Sequence, residues 1–197
     1  MANVSFACAA KSDQLNAVDI MGIEPVIRIR EVRVAQGEQP VWVFFQGDNN
    51  RPWKPSKGML RIMMAAWGPE SDDWVGERVK LYFEPTVTWA GEQVGGIRIR
   101  ALSSIKADGM LVALTLNRKK RVALRVEMLP EDTLPPYPEE KFSSALPAMQ
   151  KAMEDGKMTL QQVIAQCQKT GNLSETQIAR LEQAVPVEHD EDEEGEV

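Results

Sequence analysis

The chain has 197 residues, of which 43% are hydrophobic and 26% charged, enough for one ordinary domain with a core and a small appendage. Two cysteines, Cys8 and Cys167, without a CxxC partner, and a single histidine, His189, exclude a disulfide framework, a zinc site and histidine-activated nucleophiles. The net charge of −6 hides an uneven layout, because residues 51–130 hold 14 cations against eight anions.

The N-terminal ten residues are mildly apolar but lack the basic start and longer apolar run of a secretory signal. No stretch approaches the ~20 apolar residues of a membrane span. A cytoplasmic location, in a bacterial host cell, and no membrane partner are therefore expected. Val26–Val34 alternates apolar and charged residues as a strand does, and its phase slips near Glu31, which predicts a bulge. Residues 41–46 form an aromatic and β-branched strand, followed by the loop chemistry of Gly47-Asp48-Asn49-Asn50. Ser56 caps a helix over Lys57–Trp67, with Leu60, Met63, Met64 and Trp67 on one face and Gly68-Pro69 as its stop. Strands follow at 78–87 and 93–102, joined through Trp89, and at 109–116 and 121–128, joined through residues 117–120.

Residues 129–138 contain four prolines and read as an extended, stiff linker rather than a packed segment. Beyond it the period turns helical: 142–154, with Pro147 in the first turn or breaking it, then 159–169 ending at Gly171. A third helix opens on the capping box Ser174-Glu175-Thr176-Gln177. Last come seven carboxylates without a cation: Glu188, Asp190, Glu191, Asp192, Glu193, Glu194 and Glu196. Such a run is a solvating tail or a partner-binding one. The expected class is mostly β (α+β): an OB-like barrel with one inserted helix over 1–128, a linker over 129–140, a helical unit over 141–185 and a disordered acidic tail over 186–197.

The strand alternation gathers cations on one side. Arg28 and Arg30, then Arg78, Lys80 and Tyr82, then Arg98 and Arg100, point away from the apolar residues between them. A basic face with a tyrosine offers phosphate contacts and a stacking ring to a flexible strand. Arginines also decorate the wet side of ordinary antiparallel sheets. The loop before the helix carries Trp53 with Lys54, Lys57 and Arg61 around a helix start that favours anions. Trp53 is either a base-stacking platform or a lid over the barrel end. Trp89 is a second stacking candidate, and Arg118, Lys119, Lys120 and Arg121 make a basic hairpin tip. Trp42, Trp67 and Trp74 read as packing residues, as do Met59, Met63 and Met64. No P-loop or dinucleotide fingerprint is present, and Asp72, Asp73 and Glu84 have no motif around them that argues for a metal nuclease. No catalytic residue, metal or cofactor is expected.

Two segments carry a resemblance. Trp53-Lys54-Pro55-Ser56-Lys57-Gly58-Met59, with Ala65-Ala66-Trp67-Gly68-Pro69 and Val94-Gly95-Gly96-Ile97-Arg98-Ile99, is similar to a recurrent family of phage replication and recombination modules. Residues 142–180, including Leu146-Pro147, Gly156-Lys157 and Leu173-Ser174-Glu175-Thr176-Gln177, resemble the helical tail of some phage single-strand-annealing recombinases. The resemblance implies an accessory that works beside a recombinase or exonuclease, not the annealing reaction itself. The expected function is non-enzymatic single-stranded-DNA binding in phage recombination or replication. The acidic tail would recruit a phage recombinase or exonuclease, or a host replication or repair protein. The alternative is a protein-interaction factor or DNA mimic that modulates a host nuclease or repair complex. A homo-oligomer remains open.

Overall fold

Residues 12–184 are described by a computed structural model, apart from 38, 90, 91, 118, 119, 132 and 133. The expected acidic tail lies outside them. The described residues form eight strands: β1 (Val26–Val34), β2 (Val41–Phe45), β3 (Arg78–Glu84), β4 (Thr88–Trp89), β5 (Glu92–Gln93), β6 (Gly96–Leu102), β7 (Met110–Asn117) and β8 (Lys120–Met128). Among the same residues four α-helices accompany them: α1 (Lys57–Trp67), α2 (Glu139–Glu154), α3 (Leu160–Cys167) and α4 (Glu175–Glu182). The class is α+β.

Six strands make one mixed sheet in the order β2-β1-β3-β6-β8-β7, while β4 and β5 form a separate two-stranded hairpin. All neighbours are antiparallel except β6 and β8, which meet in parallel at Ala101↔Glu127 and Leu102↔Met128. The sheet is not closed into a barrel, contrary to the sequence expectation. Beyond its bulge, β1 gives its edge to β2, and β7 packs against α1 rather than pairing with a further strand of the sheet.

One face of the sheet is dry because alternate residues bury there. Ile27, Ile29, Val79, Leu81, Ile99 and Leu102 lie in a core with Met59, Ile62 and Met63 of α1, and the Ile99 N–H points to the Met59 sulfur at 3.3 Å. The buried stripe of α1 is thus not the predicted one: Met64 is half exposed while Met59 and Ile62 are closed in. Both stripes are apolar, so periodicity does not choose between them, and contact with β6 does. The bulge near Glu31 forms as predicted, with the register shifting between Ile29 and Glu31.

Most described residues of the proline-rich segment are exposed, and its end is anchored to the helical unit. Tyr137 is buried edge-on to Phe142 and its N–H donates to the Asn172 carbonyl at 2.8 Å, while Asn172 donates its N–H to the Pro135 carbonyl at 2.9 Å. Pro147 sits in the middle of α2 rather than in its first turn. The helix survives the lost hydrogen bond because Phe142 before it and Met153 after it enter the same core, with Val163, Ile164, Cys167, Ile178 and Leu181. Capping boxes open α3 at Thr159/Gln162 and α4 at Ser174/Gln177.

This helical unit docks on the β domain through the 45–50 loop. Buried Asp48 shapes that loop by accepting from the N–H groups of Phe45 and Asn50, each at 2.9 Å. Ile164 rests on Gly47, whose carbonyl accepts from the Gln161 amide. The Gln46 side chain donates to Glu175 at 3.2 Å, and the Asn49 N–H to Glu182 at 3.3 Å. Among the described residues no helix is long and apolar enough to cross a membrane.

Candidate nucleic-acid interface

The bulge and the sheet register sort the sequence-predicted cations into three groups. The first is the outer face of β1, β3 and β6. Val26 stands opposite Lys80, Arg28 opposite Arg78, and Tyr82 opposite Arg98. Lys80 and Leu81 face Ala101 and Ile99, so Arg100 is the extra residue of a second bulge. That bulge lays the Arg100 guanidinium 4.0 Å from the Tyr82 ring centroid, a cation–π contact.

A carboxylate holds this face together. Glu24 accepts from Lys80 at 3.0 Å and from Arg100 at 3.2 Å. Burial alone would raise its carboxyl, but the hydrogen bonds and charges of Lys80 and Arg100 outweigh that and leave it below the ordinary 4.5. Burial, with the Glu84 charge, raises the Tyr82 phenol, which keeps the ring neutral. Arg28 donates to the Gly76 carbonyl at 3.0 Å and Arg78 to the Pro130 carbonyl at 2.6 Å. Arg98 is half-buried and donates only weakly, at 3.3 Å, to its own neighbour's carbonyl.

The second group serves the structure. Arg30 was expected beside Arg28, yet it is the unpaired residue of the first bulge, and its guanidinium is tied to the Asp48 carboxylate at 3.0 Å. Trp53 is 2% exposed, inside the core, and exchanges two backbone hydrogen bonds with Val43 at 2.8 and 2.9 Å. It offers no ring to a ligand, so of its two readings the packing one describes its place. Lys54 has a 10% exposed side chain, pairs with Asp13 at 2.6 Å and lies 4.5 Å from the Trp42 centroid. Burial draws this loop inward because its tryptophan is worth more in the core than in water.

The third group, Lys57 and Arg61, is exposed one turn apart on α1. Since α1 covers the dry face of the sheet, they stand across the molecule from Tyr82 and Arg98. Trp89 lies in β4, and Lys120 and Arg121 in β8, but their side chains fall outside the described residues, as do Arg118, Lys119 and all seven tail carboxylates. Asp72 and Asp73 occupy the 3₁₀ turn before β3 and Glu84 its far end, where Thr86 holds it. Among the described residues no group of three metal-ligating side chains occurs.

Sequence reasoning missed the contribution of the helical unit. α3 leans over Val26 and Lys80 and encloses a groove of about 660 Å³ between itself and the outer face. Lys157 and Lys169, at the two ends of α3, line it together with Lys80 and Glu24. The Gln168 amide donates to the Val26 carbonyl at 3.3 Å and separates this groove from a smaller one, of about 280 Å³, lined by Arg28 and Arg78. No signal in the sequence ties Lys157 or Lys169 to strands more than 70 residues upstream, because that adjacency depends on docking. Comparison with protein-family models, with curated proteins and with solved structures finds no match.

Proposed function

We propose that this chain is a non-enzymatic single-stranded-DNA-binding protein that serves phage DNA recombination or replication in the bacterial cytoplasm. The observation that carries the reading is the cluster of Tyr82, Arg98 and Arg100 on the outer face of β3 and β6. A base stacks on the Arg100 guanidinium, already laid over Tyr82, while Arg98 and Lys80 meet phosphates. The strand order β1-β3-β6-β8-β7, with its single parallel step, matches a five-stranded Greek-key OB sheet opened where β2 and α1 occupy the closing edge. We therefore keep an OB-like sheet in the reading. The resemblance of residues 142–180 to recombinase tails supports the phage setting. In this reading the acidic tail recruits a recombinase, an exonuclease or a host replication protein.

The internal pairing of Lys80 and Arg100 with Glu24 favours a second reading, a protein-interaction factor whose activity lies in the acidic tail. Fluorescence polarisation of labelled oligo-dT against the full-length protein at two salt concentrations separates the two. The DNA reading expects salt-sensitive binding that beats duplex of equal length. It also expects Tyr82→Ala to weaken binding by roughly tenfold or more, from the ~1–3 kcal/mol of a stacked base. Arg98→Ala should flatten the salt dependence by about 0.7 in log–log slope. No binding by the wild-type chain abandons DNA in favour of the interaction factor.

Glu24→Gln provides a test of opposite sign. It removes the carboxylate that competes with phosphate for Lys80 and Arg100, so oligo-dT should bind more tightly. The pair is more than a third exposed, so stability should change by less than ~1 kcal/mol. Because the Glu24 carboxyl is held below its free value, its stabilising contribution is present above 4.5 and fades as pH falls through the lowered value. The Glu24→Gln protein should therefore lose less stability than wild type on acidification through that window. Equal acid sensitivity together with unchanged affinity would remove Glu24 from the account.

A further inference from the structure

We propose that the groove between α3 and the outer face of β1 and β3 holds the phosphodiester backbone of the bound strand, so that the helical unit supplies half of the DNA site. This rests on the single-strand reading and names a stretch of its path that the sheet alone does not provide. Three ammonium groups, Lys80, Lys157 and Lys169, line the groove; Lys80 and Arg100 share the Glu24 carboxylate and Lys157 pairs with Asp155 at 2.6 Å, so with Arg100 four cations meet two carboxylates. The excess charge is positive and faces a concavity, where low-dielectric walls focus it onto an anion. Val26 and Met158 supply apolar wall for sugar and base. The volume, about 660 Å³, is within the range of sites that hold nucleotide-sized ligands.

Continuity with the sheet face singles out a strand as the ligand. Lys80 belongs to the groove and Arg100 to the Tyr82 cluster, and one Glu24 carboxylate touches both. A strand stacked at Tyr82 and Arg100 thus passes directly to Lys80 and on between Lys157 and Lys169. Phosphates displace Glu24 from both cations as the chain enters, so occupation of the groove and of the face are coupled through that carboxylate.

The chemistry of a phosphate with its sugar is common to a DNA strand and to a free nucleotide, and the experiment separates them. Full-length Lys157→Ala/Lys169→Ala protein is titrated with labelled oligo-dT, beside wild type and a Lys106→Ala/Lys151→Ala control. The control removes the same net charge from exposed positions that line neither groove. The groove variant should bind about tenfold more weakly, with a salt slope shallower by about 1.4 for two lost single-strand phosphate contacts, while the control stays near wild type. Equal losses in both variants overturn the groove and leave the Tyr82 face standing. No binding by wild type overturns the single-strand reading itself, and the groove with it. Unlabelled dTMP that displaces oligo-dT as well as an oligonucleotide of equal nucleotide concentration would assign the groove to a free nucleotide and overturn the strand path.

Discussion

Trp53→Ala should destabilise the β domain by about 3–5 kcal/mol, the range for deleting a buried tryptophan, and, on the single-strand reading proposed above, leave the oligo-dT affinity of the remaining folded protein unchanged. The ring is 2% exposed and shares a core with Met59, Met63 and the strand residues of β1 and β3. Its backbone is the antiparallel partner of Val43, whose two hydrogen bonds pin the loop before α1 to β2. Removing the ring opens a cavity between those two attachments, and the proline on either side of the Trp53-Lys54 pair prevents the loop from collapsing freely into it. Denaturant unfolding followed by far-UV circular dichroism gives the first quantity, and oligo-dT titration below the transition the second. A variant of near wild-type stability that has lost DNA affinity would return Trp53 to the surface role its sequence context suggests.

Gly47→Ala should release the helical unit while sparing both cores. The residue has φ +82°, a conformation that costs an L side chain about 1 kcal/mol or more. A Cβ there would also lie 2.5 Å from Ile164 Cδ1, and overpacking of that kind costs roughly 1–3 kcal/mol. The expected result is early proteolytic cleavage near residues 129–138, with the β domain still folded. Ile164→Ala in the same chain removes the overlap but not the backbone strain, so the pair should be less destabilising than the sum of its singles. Simultaneous loss of strand and helix signals in Gly47→Ala would instead make the two parts one cooperative unit. By the preceding inference, undocking should also weaken oligo-dT binding, because Lys157 and Lys169 leave with α3.

Local pattern was legible and long-range adjacency was not. β1 and α1 fall at their predicted limits because alternation in one and the Ser56–Gly68 punctuation in the other are local signals. The bulge near Glu31 was visible as a phase slip, but its consequence for Arg30 was not, since the attraction of Asp48 comes from a loop 18 residues away. Trp53 misleads for a similar reason: prolines and cations surround it in sequence, whereas a core surrounds it in space. Pro147 shows tertiary packing overriding a local rule, with Phe142 and Met153 holding the two halves of α2 in one cluster. The pairing of the proline-rich segment with Asn172 was not legible, because nothing in its composition reveals that contact.

The parallel step between β6 and β8 carries a consequence for synthesis on the ribosome. Among the described residues β8 pairs with β6 through Glu127 and Met128, its last residues, and the docked helices come after the proline-rich segment. The sheet therefore waits for residue 128 to clear the exit tunnel, and the seat at Gly47 stays empty until α3 and α4 have emerged. A nascent chain presents its arginine-bearing face unshielded throughout that interval. The order of emergence therefore leaves that face open to solvent before the protein's own helices can reach it.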